Sequence, residues 1–209
     1  MSSENILDIY GSEKIYRLAC EKLTQVADIK EQCGKADVQY DANSNRITIE
    51  YLNRPYLFTL PKCEISLRDS EEQIPARDKI LIVHYLTSAK GTPLTGKLIT
   101  YRQVPGGAPY FTRFSKLVAQ PLLSHFGEKP ELLIPAAEKL GGKKVDRNDA
   151  AVTINAFSRV PITIALQRGD EEFAPTVSLL FDSTIPDYLH TQDIRILCEI
   201  IAWELIKFG

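Results

Sequence analysis

The sequence predicts an α+β fold, an antiparallel sheet with flanking helices in a single domain of residues 1–209. Three observations predict it. Apolar residues recur at helical spacing near both ends of the chain. Between residues 38 and 60 they alternate two by two across short polar turns. Between residues 150 and 182 three more strand candidates follow, the last two joined by a loop of hairpin length.

Ser12 as cap, with Ile15, Leu18, Ala19, Val26 and Ile29, predicts one amphipathic helix ending near Cys33 and Gly34. Val38 and Tyr40, then Ile47, Ile49 and Tyr51, then Tyr56, Phe58 and Leu60 predict a three-stranded meander. Its turns are assigned to "DANSN" and "NRP". The run "DKILIVHYLTSAKG" fits a buried strand or a helix, and Asp78 as cap with Gly91 beyond the end favours helix. "GKLITYRQV" reads as a strand. Pro109 then suits the first turn of a helix carrying Phe114, Leu117, Val118 and Leu122, which Pro121 should bend or end. "PELLIPAAEKLGG" gives a short helix stopped at Gly141, and "AVTINAF", "VPITIALQR" and "TVSLLFD" give three strands. Thr191 caps a last helix with Ile194, Leu197, Cys198, Ile201 and Leu205 on one stripe. No internal repeat, low-complexity tract or linker interrupts this order.

Composition excludes several classes. With 209 residues, 44% of them hydrophobic, a substantial core is expected. A net charge of −2 gives the whole molecule no general attraction for nucleic acid or membrane. The opening "MSSENILDIYGSEK" lacks a basic and then apolar leader, so a cytoplasmic protein is expected. Cys20, Cys33, Cys63 and Cys198 form no Cys-x-x-Cys and have no histidine at zinc spacing. They read as reduced structural thiols, with no metal site and no iron–sulfur ligation in this chain. The carboxylates of the C-terminal half each fit a turn or cap, and no serine sits in a nucleophile elbow.

Charge is segregated. Residues 79 to 127 contain no Asp or Glu, yet carry Lys79, Lys90, Lys97, Arg102, Arg113 and Lys116, a local +6 against −8 elsewhere. His84 and His125 lie in the same window. Such a field attracts an anion, unless these bases pair with carboxylates from elsewhere in the fold. Within it "GTPLTGK" matches the first part of a phosphate-binding loop, but Leu98 follows where Ser or Thr is needed, and a strand follows where a helix is needed. Nucleotide hydrolysis is not expected.

The stretch "TYRQVPGGAPY" is the candidate binding element. Gly106 and Gly107 can take positive φ and let a backbone come close, and Pro105 and Pro109 hold the loop. A helix starting near Pro109 points N–H groups at an anion. Arg102 or Arg113 can grip a carboxylate or phosphate, and Tyr101 and Tyr110 can stack on a flat ligand. Lys97 would point to the opposite face of the same strand from Arg102. The seven candidate ligand-binding residues are therefore Lys97, Tyr101, Arg102, Gly106, Gly107, Tyr110 and Arg113, at the mouth of a cleft. The alternative is a tight connection whose tyrosines are core. "GDEEFAP" is expected to be a solvent-facing hairpin connection.

"HYL" at 84–86, "LTGKLITYRQVPGG" at 94–107, "GDEEFAP" at 169–175 and "LLFDSTIPDYL" at 179–189 together resemble the domain of unknown function 3786 family of anaerobic bacteria and archaea. The resemblance spans about residues 75 to 205, leaving 1–74 for the first helix and meander. The family's "FRELPGG"-like pattern here reads "YRQVPGG", with Gln103 in place of the acid. The resemblance implies no catalytic residues. It implies a setting near iron–sulfur proteins and corrinoid one-carbon enzymes. Two readings follow: a protein binding an anionic small molecule or cofactor, tetrapyrrole-like or corrinoid-like, and a non-catalytic module docking on a redox or corrinoid enzyme. A deep pocket beside Arg102 favours the first, a flat basic face the second.

Overall fold

Ile47, Ile49 and Tyr51 place three buried side chains on one face of a strand, while Glu50 between them is exposed. A four-stranded antiparallel meander is built around that strand in the computed structural model, which describes residues 13–209. Strands β1 (Gln39–Asp41), β2 (Arg46–Tyr51), β3 (Arg54–Thr59) and β4 (Glu64–Leu67) lie side by side in chain order. The meander has one strand more than the three expected, because residues 64–67 return along the free edge of β3. The β2–β3 turn is Leu52 and Asn53, with φ of 48° and 62°, rather than "NRP". A two-residue hairpin needs positive φ at both central positions to match strand twist, and Arg54 and Pro55 belong to the strand that follows.

The chain forms two compact units. The first comprises the residues up to Thr92 together with Asp187–Leu189; the second comprises Pro93–Pro186 and His190–Gly209.

In the first unit, helices α1 (Glu13–Thr24), α2 (Ile29–Lys35) and α3 (Ala76–Ser88) accompany the meander. The single helix expected from Ser12 to Cys33 is two helices; Ser12 itself lies outside the described residues. Asp28 takes an extended backbone and its carboxylate accepts the Glu31 N–H at 2.9 Å, so a new helix starts there. The ambiguous run is helical, as α3, but Asp78 does not cap it. Pro75 holds the cap position, and Asp78 is buried inside the helix, accepting the Tyr51 hydroxyl at 2.8 Å. That bond joins sheet to helix. Buried Gln32 donates to the carbonyls of Leu86 and Ala89 at 2.7 and 2.9 Å, serving the C-terminal end of α3 where helix carbonyls lack intrahelical partners.

The second unit holds a five-stranded antiparallel sheet in the order β5-β9-β8-β7-β6. Its strands are β5 (Leu98–Thr100), β6 (Lys143–Lys144), β7 (Ala150–Phe157), β8 (Val160–Gln167) and β9 (Thr176–Asp182). Central β8 is buried along almost its whole length, which is why "VPITIAL" is apolar on both faces. Four helices belong to this unit: α4 (Phe111–Phe114), α5 (Gln120–Phe126), α6 (Leu133–Glu138) and α7 (Thr191–Phe208). Pro121 does not end its helix. Ser115–Ala119, between α4 and α5, widens into π turns, which accommodate a proline that cannot donate to the regular ladder.

Helices α5 and α6 pack against α7. His190, not Thr191, is its cap residue, and the Thr191 hydroxyl donates instead to the Pro105 carbonyl at 2.5 Å. Ile194, Leu197, Cys198, Ile201 and Leu205 are buried as expected, but so are Arg195 and Glu199. These two pair one turn apart at 2.8 Å, with Arg195 fully enclosed and its Nε and Nη2 without a hydrogen-bond partner among the described residues. No helix among the described residues is long and apolar enough to cross a membrane.

A buried ion pair is costly to break and cheap to replace, because removing one partner strands a desolvated charge. Glu199→Ala should therefore lower unfolding stability by about 3–5 kcal/mol. The double variant Arg195→Met/Glu199→Leu should recover most of that loss, as read by urea denaturation.

Candidate functional site

The segment resembling a phosphate-binding loop does use its amides to hold an anion, and that anion is Asp182. The Thr95 and Gly96 N–H groups donate to the Asp182 carboxylate at 3.1 and 2.7 Å, and the Thr95 hydroxyl donates at 3.1 Å. From the other side the Thr184 N–H and hydroxyl donate at 3.0 and 2.8 Å. Burial by itself raises this carboxyl; the bonds from Thr184, Thr95 and Gly96 outweigh it and hold the group below the usual carboxylate range. Gly96 takes φ of 72°, which turns consecutive amides onto one acceptor. Ser183 N–H then donates to the Lys97 carbonyl at 2.8 Å, and β5 pairs with β9 from Leu98 opposite Asp182 onward. None of Thr95, Gly96, Asp182 and Thr184 was singled out as a site residue; their presence in two of the segments shared with the family was the available signal.

Strand β5 stops at Thr100, four residues earlier than expected. Gln103 turns the chain by accepting the Thr100 N–H and hydroxyl at 2.8 and 3.1 Å, which starts a short 3-10 turn over Tyr101–Gln103. Glutamine closes this capping box as a glutamate does, so the exchange in "YRQVPGG" keeps the turn. Lys97 and Arg102 consequently do not lie on one strand, and the face alternation expected for them does not apply. Lys97 is exposed just before β5, and Arg102 is exposed on the turn.

Tyr101 is in the core, 1% exposed, with its ring stacked on Phe114 at 4.1 Å and its hydroxyl donating to the Thr191 carbonyl at 3.3 Å. Burial pushes its phenol up. Its ring has no face left for a flat ligand. Gly106 takes the expected positive φ, 74°, whereas Gly107 is at −77° and is needed for a different reason. A Cβ on Gly107 would overlap the Tyr101 carbonyl oxygen and stand 3.0 Å from that of Val104. The close approach that glycine permits is thus made by the loop's own backbone. Its amides are engaged too: Gly107 N–H donates to Val104 at 2.8 Å and Tyr110 N–H to Gly107 at 3.0 Å.

What remains outward is cationic and aromatic. The Arg102 guanidinium lies 3.9 Å over the Phe111 ring, Tyr110 is 57% exposed, and Arg113 is half-buried. The six bases of the acid-free window are divided between the two units. Lys79 and Lys90 belong to the first unit, where Lys90 pairs with Asp187 at 2.8 Å and Lys79 stands 5.9 Å over the Tyr16 ring. In the second unit Lys97, Arg102 and Lys116 have no carboxylate within ion-pair distance among the described residues. Two cavities, of about 590 and 310 Å³, are lined by none of the seven candidate residues. The smaller is formed by the 169–175 hairpin connection, whose acids are exposed and whose Asp170 accepts the Glu172 and Phe173 N–H groups at 2.9 and 2.7 Å. No group of three His, Cys, Asp or Glu among the described residues is arranged to hold a metal ion.

Two substitutions test this construction by urea denaturation. Gly107→Ala should destabilise by more than Gly106→Ala, because the first meets backbone atoms and the second only a strained φ, worth about 1 kcal/mol. Asp182→Asn should cost about 2–4 kcal/mol at neutral pH, where the parent carboxylate holds charge-assisted bonds. A depressed carboxyl stabilises above its unfolded pKa and loses that contribution as pH falls through the folded one. The difference between parent and variant should therefore shrink below about pH 4.

No curated protein and no solved structure matches this chain. The family described as Domain of unknown function (DUF3786) matches residues 28–203, so the likeness carried by residues 75 to 205 extends back through α2 and the whole meander. Both segments that meet at Asp182 lie inside that match, and α1 lies outside it. The chain belongs to this domain-of-unknown-function family.

Proposed function

We propose that this chain is a non-catalytic docking module whose second unit recognises an acidic surface of a partner protein through Arg102, with Lys97, Tyr110 and Arg113 around it. The observation that carries the reading is the use of the glycine loop's close approach by Tyr101, its own neighbour, which leaves an exposed cation on an aromatic ring rather than a cradle. An arginine spread over an aromatic ring keeps its N–H edge free for carboxylates while losing little side-chain freedom. Exposed Tyr110 and Leu98 add the apolar contact area that interfaces combine with arginine. An anaerobic redox or one-carbon enzyme is the partner class that the family setting suggests, in the cytoplasm, where four unpaired thiols suit a reducing compartment. The reading as a binder of an anionic cofactor keeps Arg102 as its contact but loses Tyr101 as a stacking platform.

A photo-crosslinking amino acid at position 110, introduced in the source cells, should trap a discrete adduct with an acidic protein. Arg102→Glu in the same chain should reduce that adduct at least tenfold, corresponding to about 1.4 kcal/mol or more. Its circular dichroism should be unchanged. An adduct of equal yield from Arg102→Glu, or from a control position such as Lys139, would sink the docking reading.

A further inference from the structure

The larger cavity lies in the first unit, and its wall brings together two cysteines that are far apart in sequence. Cys20 stands on α1 and Cys63 on the turn before β4, and both line this space of about 590 Å³ together with Tyr16. Tyr16 and Cys20 stand one turn apart on α1, so the thiol of Cys20 and the hydroxyl that reaches Cys63 belong to the same wall of the cavity. The Tyr16 hydroxyl donates to the Cys63 carbonyl and fixes the turn against α1. Cys63 takes φ of 54°, uncommon for a residue with a side chain. Cys20 is buried, whereas Cys63 is partly open to solvent. The other two thiols, Cys33 and Cys198, are buried and line neither cavity.

We propose that Cys20 and Cys63 are a reversible dithiol–disulfide pair, oxidised at this cavity by a low-molecular-weight disulfide, with Cys63 attacking and Cys20 resolving. The more open member attacks first: Cys63 is partly open to solvent, whereas Cys20, on the same cavity wall, is buried. The Cys63 thiolate forms a bond to one sulfur of the small disulfide, whose S–S bond breaks and releases a first thiol. Cys20, after losing its proton, attacks the Cys63 sulfur, closes the internal bond and releases the second thiol. Two electrons pass from the pair to the small disulfide, and the two protons leave with its sulfurs. Burial pushes Cys20 up to about 12; burial also raises Cys63, while the neighbouring Cys20 thiol opposes that rise. Both shifts keep the pair protonated at rest, so the exchange is slow near neutral pH and accelerates with alkalinity. The closed bond would tie α1 to the meander. Cys20 lies outside the family match and Cys63 inside it, so the pair is a property of this chain rather than of the matched region.

The experiment incubates the full chain with oxidised glutathione, then quenches with acid, alkylates under denaturing conditions and maps peptides by mass spectrometry. A Cys20–Cys63 linked peptide should form, with Cys33 and Cys198 alkylated. Its rate should rise roughly tenfold per pH unit while the thiols remain mostly protonated. Cys20→Ser should hold one glutathione on Cys63, and Cys63→Ser should take none on Cys20. Full alkylation of both residues in the parent after prolonged exposure at mildly alkaline pH would overturn the proposal. So would linkage to Cys33 or Cys198, or Cys20→Ser staying free of glutathione.

Discussion

The second unit depends on one buried carboxylate. Asp182 ends β9, and five donated hydrogen bonds from Thr95, Gly96 and Thr184 converge on it. A carboxylate this enclosed is tolerated only when its oxygens are satisfied, and here the satisfaction comes mainly from two stretches of backbone. One stretch precedes β5, the other follows β9, so meeting at Asp182 sets the register in which Leu98, Ile99 and Thr100 pair with the sheet. Everything after β5 inherits that placement: the Gln103 turn, the Tyr101–Phe114 stack and the entry into the helical stretch from Phe111.

The same physics answers what the glycine-rich segments are for. Oriented amides attract anions wherever consecutive N–H groups converge, and a protein carboxylate fills such a nest as well as a phosphate does. In this chain the nest of residues 95 and 96 is filled from within, and the 103–107 loop is closed by its own carbonyls. The backbone of these segments is thereby engaged within the fold. Arg102 over Phe111 and exposed Tyr110 are what the loop presents outward, while Tyr101 supports them from the core.

Helix α7 shows a second constraint. A helix buried on nearly every side would ordinarily be apolar all round, yet it carries Arg195 and Glu199 one turn apart in the interior. Their attraction offsets part of the desolvation penalty, and two guanidinium nitrogens remain without a partner among the described residues. The stripe expected from the sequence, Ile194, Leu197, Cys198, Ile201 and Leu205, contains neither of these two residues. Only the packing of α5 and α6 against α7 reveals how enclosed the helix is.

Legibility followed interaction range. Period-two alternation in 47–51 and 56–58, apolar continuity in "VPITIAL", and helical spacing in 194–205 determined the α+β class and most elements, because these patterns report burial of one face at a time. Positions where a local signal had two physical explanations went the other way. Asp78 and Thr191 look like caps, yet both are spent on partners far along the chain, Tyr51 and Pro105. The helix expected through Asp28 breaks there, and Thr100 ends a strand that periodicity alone would extend. The sequence by itself determined composition, charge segregation and the segments shared with the family. Tertiary structure decided which anion the glycine segment holds, which tyrosine is core and which thiols line one cavity, because each of these depends on residues that only folding brings within reach.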